Sequence, residues 1–424
     1  MTPASFVRGR VLGFVFLLSV VTYLDRICIA AAAPFMMQDL HLTVFQMSVV
    51  FSAFTLAYSL FEIPTGWLGD TRGPRQVLTR IVVWWSGFTM LTGVARGYSS
   101  LVAIRFLFGA GEAGAFPNAA RALSRWFPAR ERGRANGLLF LGSRVGGMLS
   151  APVALLLIQR IGWRSSFVVF GALGLVWAAA WHAFYRNRPS EHPAMSASEL
   201  AWIEQDGARS EGAAATPWRA IFASRNLWAI CAMYFSFGYG LYFYFTWLPT
   251  YLIRVLGFSL LAGGLFAALP FVLAGIADVL GGLITDHLAA TRGLRVARCG
   301  LGFCAFLGSG FLIFASTLAL PPVAKAVLLA LSLASADLAL GACWAVCLDV
   351  GADHAGVVTG CMNTFGNLGG LVGPMVVGLA VERWQSWTFP LYATSFFYVV
   401  GALAWLAIDP MRRITSVPGA PIDS

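Results

Sequence analysis

Charge is what this sequence has least of. Only 11% of its 424 residues are Asp, Glu, Lys or Arg, and lysine occurs once, at Lys325. Soluble domains carry roughly a quarter charged residues, so a soluble enzyme and a disordered chain are both excluded. Catalytic motifs are missing as well. There is no Walker A lysine loop, no HExxH and no G-x-S-x-G, and the five histidines (41, 182, 192, 287 and 354) fall at no ligand spacing. No enzyme activity, metal site or cofactor is therefore expected. The seven cysteines (28, 231, 299, 304, 343, 347 and 361) are odd in number, form no CxxC and lie in or beside apolar runs, which makes them small packing residues, not disulfides or metal ligands. Gly109 to Gly114 (Gly-Ala-Gly-Glu-Ala-Gly) spells a dinucleotide fingerprint by letter, but neither the preceding strand nor the βαβ unit that this reading needs is present.

What is present is apolar. Hydrophobic residues make up 58% of the chain and aromatics 14%, with 15 Trp, and the mean hydropathy is +0.74. At roughly 20 residues per crossing plus a short loop, the length allows about twelve crossings, and the Trp content suits aromatic belts at two lipid–water interfaces. The pattern predicts helices over 11–33, 46–69, 77–96, 99–121, 135–159, 165–185, 226–252, 260–285, 296–319, 322–347, 355–380 and 388–409. The first resembles a signal peptide in having Arg8 and Arg10 before an apolar run. Asp25 and Arg26 interrupt that run, and an even number of crossings needs the segment, so it reads as retained.

The net charge of +10 is a topology signal, because the arginines sit between apolar runs and form no nucleic-acid stripe. Sorted by loop, 20 Lys and Arg fall on one side and 6 on the other, which puts both termini in the cytoplasm. The one long polar stretch lies near 190–224. The expected organisation is a six-helix bundle over 1–189, a cytoplasmic linker over 190–224, a second six-helix bundle over 225–413 and a disordered tail over 414–424. In the linker, Ser196 stands three residues before Glu199, a capping-box spacing that predicts a short surface helix.

A weak repeat supports two halves. Gly66, Asp70, Arg72, Gly73 and Arg75 follow the second helix, and Gly282, Asp286, Arg292 and Gly293 follow the eighth. Glycine permits close helix approach, and Asp with nearby Arg can latch neighbouring helices.

Several charges sit inside the predicted helices: Asp25, Arg26, Arg105, Glu112, Arg144, Asp278 and Asp337. Each costs about 2.5–3.5 kcal/mol at the bilayer centre on insertion scales, so they should face a shared watery cavity or pair statically. Arg105 and Glu112 are seven residues apart, nearly two turns and about 10 Å along one helix face. That spacing lets an arginine hold an anion while the carboxylate takes a proton. Gly109, Gly111, Gly114 and Pro117 allow a local break in the same helix. Tyr23, Tyr58, Asn118, Asn363 and Asn367 offer hydrogen-bonding groups for hydroxyls, with Trp344 or Trp247 as stacking surfaces.

The chain resembles the major facilitator superfamily through Gly66 to Arg75, with Thr71 and Pro74 at positions that are usually basic. More specifically it resembles the anion:cation symporters, which include bacterial galactonate, glucarate and hexuronate transporters. That likeness rests on Tyr23 to Arg26, Tyr58, Arg105 with Glu112, Glu199 to Ile203, Trp247 to Tyr251 and Met362 to Gly370. The resemblance implies an all-α membrane protein of twelve helices, two six-helix bundles around a central cavity, in a bacterial inner membrane. It implies Asp25 and Glu112 as proton carriers and Arg26 and Arg105 facing the substrate carboxylate, with Tyr58, Trp344 and Asn363 lining the site. Tyr23 and Arg144 join this set, and Glu62 and Arg144 depart from the family pattern. The expected activity is proton-coupled symport of a small organic anion, a sugar acid, by a monomer with lipid as its surroundings. The alternatives are an efflux antiporter of the same superfamily and a nutrient sensor that binds without transporting.

Overall fold

The computed structural model describes residues 6–204 and 218–414, and the side chains of 6, 63, 66, 67, 69–71, 129, 130, 204 and 353 fall outside that description. The predicted tail and the middle of the predicted linker lie outside the described residues. Eight of the described helices are apolar and long enough to cross a membrane. Twelve crossings follow once breaks are counted: α1 (Phe6–Asp39), α2 (Val44–Arg72), α3 (Pro74–Thr92), α4 (Tyr98–Glu112) with α5 (Ala115–Trp126), and the two halves of α6 (Ala129–Phe184), which turn at Gly162. After α7 (Ala197–Glu204) and α8 (Trp218–Ala223) come α9 (Arg225–Thr246) with the short α10 (Leu248–Thr250), then α11 (Leu260–Arg292) and α12 (Leu301–Ser316). The last three crossings are α13 (Pro322–Asp337) with α14 (Leu340–Gly351), α15 (Ala355–Trp384) and α16 (Thr388–Ala407). The fold is all-α, as the apolar pattern required.

The chain forms two compact units, Met1–Ser210 with Thr246–Ala268, and Glu211–Phe245 with Leu269–Ser424. In the first, α1 buries Val7, Val11, Val15 and Leu18, a helical repeat of one face. Without a hydrophobic drive between helices in lipid, packing depends on small residues that let backbones meet. A Cβ on Gly142 would strike the Phe16 carbonyl and Ser19, one on Gly146 would strike Val20 and Tyr23, and one on Gly109 would strike the Phe54 carbonyl. These glycines hold α6 against α1, and α4 against α2.

The linker helix is not a free surface helix. The Glu199 N–H donates to Ser196 Oγ at 3.2 Å, which is half of the predicted capping box. The Glu199 carboxylate turns instead to Arg8, whose Nε donates to it at 3.2 Å while Nη1 donates to Glu131 at 2.7 Å. Trp202 Nε1 adds a bond to Glu131 at 3.0 Å. His192 packs edge-on to Trp126 and Phe184, and burial with the nearby Arg186 charge holds its imidazole below the usual range.

In the second unit, the glycines around Asn363 serve helix contact. Cβ atoms on Gly366, Gly369, Gly370 and Gly373 would strike Tyr234, Phe235, Tyr239 and Tyr242 of α9. Ser309 of α12 and Ser332 of α13 bond at 2.8 Å. The repeat between halves shows in the backbone: Gly73 and Gly293, each just after an arginine, adopt φ of 80° and 85°, a region open to glycine. The cysteines are free, as expected, though Cys304 is exposed. The close seat of Gly369 generates a prediction. Gly369→Val should lower the thermal midpoint of the detergent-solubilised protein, by an overpacking cost of about 1–3 kcal/mol. Gly360→Ala, where nothing lies within 4 Å of the added carbon, should leave it unchanged.

Candidate functional site

Six of the predicted site residues converge in the first unit, Asp25 among them. Tyr23 and Arg26 of α1 meet Tyr58 of α2 and Arg105 and Glu112 of α4. The Arg26 guanidinium lies 5.0 Å from the Tyr23 ring centre, 5.0 Å from Phe54 and 4.8 Å from Tyr58. Arg105 lies 5.4 Å from the same Phe54 ring and 4.2 Å from Phe108. Both cations thus lie against one aromatic ring, Phe54, whose quadrupole replaces part of the lost hydration.

Their partners differ. Arg26 Nε donates to Glu112 Oε1 at 2.8 Å, and Nη2 donates to the same oxygen. Glu112 is fully buried, and its second oxygen accepts no hydrogen bond among the described residues. Arg105 is 2% exposed, and its Nε and Nη1 find no acceptor among the described residues. A buried guanidinium with open N–H donors has the chemistry to hold an anion, and the acids nearest to it are Glu112 and Asp25. Asp25, 1% exposed, faces Glu112, Arg105, Trp85 and Thr89, with neither oxygen in a hydrogen bond. Two acids and two arginines therefore lie in one buried cluster.

Glu112 is placed by the break that the glycines and Pro117 suggested. α4 ends on it, and α5 starts three residues on, at Ala115. Asn118 staples that break: its Nδ2 donates to the Gly114 carbonyl at 2.8 Å and to the Thr65 carbonyl at 3.2 Å. It is a backbone clamp, so its expected service to a substrate hydroxyl is not what its amide N–H does here. Trp247 is likewise wholly buried and edge-on to Phe51 at 5.2 Å, which removes it as a stacking surface. Phe54, Phe108, Trp85 and Thr89 were not anticipated. Phe54 stands four residues before Tyr58 and Phe108 three after Arg105, spacings that share a helix face with them.

Arg144, half-buried on α6, belongs to the first unit. Trp344, 36% exposed and edge-on to Tyr234 at 6.3 Å, and the half-buried Asn363 belong to the second. Among the gating residues, Arg75 donates to the His182 carbonyl at 2.7 Å and its N–H to Asn187 Oδ1 at 3.1 Å. Arg72 is exposed, and the side chains at Gly66 and Asp70 lie outside the description. Gly282 is half-buried with open space beside it. Asp286 and Arg292 are exposed, and no ion pair joins them among the described residues. The ion pair at this place is Arg298 to Asp349, at 3.0 Å, with Arg298 also bonded to Thr285.

Twelve crossings with paired charges buried in the helices make a polytopic membrane protein with a polar site inside its helices. The chain belongs to the Major Facilitator Superfamily, whose profile matches residues 15–374. Its relatives fit the anion:cation symporter branch. A probable sulfoacetate transporter of Cupriavidus necator is 37% identical over 96% of this chain and 95% of its own. A hexuronate transporter of Bacillus subtilis is 30% identical over 96% and 95%, and a probable L-galactonate transporter of Escherichia coli is 28% identical over 92% and 87%. The crystal structure of a bacterial homolog of the human lysosomal transporter Spinster shares the fold, with a TM-score of 0.79 over 95% of this chain and 97% of that one at 19% identity.

The buried Arg26–Glu112 pair yields a stability test. Arg26→Met should lower thermal stability at neutral pH by about 3–5 kcal/mol, because it strands a buried carboxylate, whereas Arg26→Met with Glu112→Leu should recover most of it. Equal losses in the single and double variants would show that the pair is not what holds these charges.

Proposed function

We propose that the protein imports a small organic anion together with protons, by alternating access, with Arg105 and Arg26 as the anion receptor and Asp25 and Glu112 as the proton carriers. The observation that carries this reading is the inequality of the two arginines. Arg105 has open donors, whereas Arg26 is neutralised by Glu112. An anion drawn to Arg105 reaches a site whose second cation is occupied for as long as Glu112 is ionised. Protonating Glu112 weakens its hold on Arg26 and frees that guanidinium for the cargo. The carboxylate and the anion thus compete for one cation, and the proton decides between them.

The named substrates of the relatives span a sulfonate, hexuronates and aldonates. Their shared chemistry is an anionic head on a small polar body, which is what an arginine fork recognises. A sulfonate stays ionised at any accessible pH, so with such cargo the proton must travel on the protein's own acids. Sugar acids fit the same receptor, with Tyr23 and Tyr58 beside it and Trp344, Asn363 and Arg144 as further contacts. The two halves rock as 1–189 and 225–413, joined by the linker over 190–224. Both termini face the cytoplasm of a bacterial inner membrane, and Gly66 to Arg75 and Gly282 to Arg292 act as cytoplasmic gates.

The test is uptake into proteoliposomes under an imposed acid-outside gradient, with sulfoacetate, glucuronate and galactarate as probes. At least one should accumulate in the wild type. Glu112→Gln should lose tenfold or more of the gradient-driven accumulation of that probe while exchange counterflow persists. Acid-driven accumulation retained in Glu112→Gln would refute the reading. Proton-driven release of cargo instead of uptake would favour an antiporter, and binding without flux a sensor.

A further inference from the structure

After α6 the chain runs through Pro189 and Pro193, with His192 between them. Pro193 has no N–H to give, so the first backbone donor after His192 is Ala194, and its N–H donates to His192 Nδ1 at 3.2 Å. A ring nitrogen that accepts carries no proton, so this bond exists only with the neutral imidazole. The residue is 8% exposed. Its ring stands edge-on to Phe184 at 4.9 Å and to Trp126 at 5.8 Å, and its carbonyl accepts from the Met195 N–H at 3.0 Å. Met195 packs against the core of the first unit, and α7 begins two residues later, at Ala197. His192 is thus the point at which the linker enters its seat.

The charged groups around the ring set what a proton there would cost. Arg186 is fixed in place: its Nη1 donates to the carbonyls of Ala183, Phe184 and Tyr185 at 2.8, 3.3 and 3.0 Å, capping the end of α6. Arg10 of α1 lies 5.9 Å from the Phe184 ring centre, and Arg125 of α5 donates to the Asn187 carbonyl at 3.5 Å. The acid that faces the imidazole is Glu199 of α7, and Arg8 already holds it through Nε at 3.2 Å and the backbone N–H at 3.4 Å. An imidazolium here would be a buried cation among arginines, without its bond to Ala194. Burial and Arg186 accordingly hold the imidazole below its usual range, and Glu199 offsets them only in part. A group held neutral in this way supports docking fully above its free pKa of about 6.5, and that support is lost as the pH falls below it.

We propose that His192 is a pH-sensitive clasp: neutral, it holds the linker segment 189–204 on the first unit, and protonated, it lets that segment go. Acid at this face then lengthens the tether between α6 and α9. The clasp touches no cargo and does not depend on which ion drives transport.

The experiment needs no substrate. Deuterium uptake by peptides spanning 189–204 is measured in the purified full-length protein at about pH 7.5 and about pH 5.5, a window that brackets the imidazole and stays above the carboxylates. Each value is corrected for the intrinsic exchange rate at its pH. Opening of the segment should rise severalfold towards the acid end in the wild type, to about tenfold at most. His192→Phe keeps a ring between Trp126 and Phe184, and His192→Asn keeps an acceptor for Ala194; each should show the same opening at both pH values, whatever its level. Glu199→Gln should be more open at both and keep the rise. No rise in the wild type, a rise that survives in either His192 variant, or a rise lost in Glu199→Gln would overturn the proposal. If one His192 variant does not fold, the other decides alone.

Discussion

Two guanidinium groups that cannot lose their protons are held in a water-poor cluster, and most of what the first unit does follows from that. Arginine stays charged in any protein environment, so each must be met by rings, by a carboxylate or by a visiting anion. Arg26 has three rings and Glu112; Arg105 has two rings and open N–H groups. Asp25 and Glu112 are the two acids set against these two cations, with Glu112 bonded to Arg26 and Asp25 facing Arg105. The aromatic rings matter for the same reason. They shield the charges without competing for them, since a ring face attracts a cation and offers no proton acceptor as strong as an anion.

The helix break at the end of α4 is the backbone counterpart of this arrangement. Ending α4 on Glu112 and clamping the gap with Asn118 turns the carboxylate towards α1, where Arg26 stands. The second unit shows the same backbone device. α13 ends on the fully buried Asp337 and α14 begins at Leu340, with α5 and α14 each 12 residues long. A break after a buried acid therefore occurs in each unit among the described residues, in keeping with the glycine turns at 73 and 293.

Much of this was legible in the sequence. Asp25 with Arg26, and Arg105 seven residues before Glu112, stand out because charge is scarce in apolar runs and each instance needs a reason. The break near Gly114 was visible through its glycines and Pro117. The partner of Glu112 was not. Spacing puts Arg105 and Glu112 on one helix face about 10 Å apart and names no partner for Glu112; the contact is with Arg26, 86 residues away, and only tertiary packing sets it. The break after Asp337 has no proline at hand and its glycine, Gly341, comes only after the gap, so nothing in the local sequence marked it. At the far end of α11, Asp286 and Arg292 matched a pattern, but the ion pair runs between Arg298 and Asp349, which no spacing rule connects. Asn118, whose N–H groups clamp the backbone, and Trp247, which is wholly buried, show why such residues are hard to assign: a polar or aromatic residue in an apolar run has the same signature whether it serves the backbone, the core or a ligand.

On the proposed competition of cargo and Glu112 for Arg26, binding an anion requires a proton. Calorimetric titration of the purified protein with sulfoacetate or galactarate, near neutral pH and in buffers of different ionisation enthalpy, counts the protons taken up on binding. Net proton uptake is expected with each anion bound in the wild type, and less in Glu112→Gln, whose side chain is already neutral. Binding with no proton uptake in the wild type would contradict it.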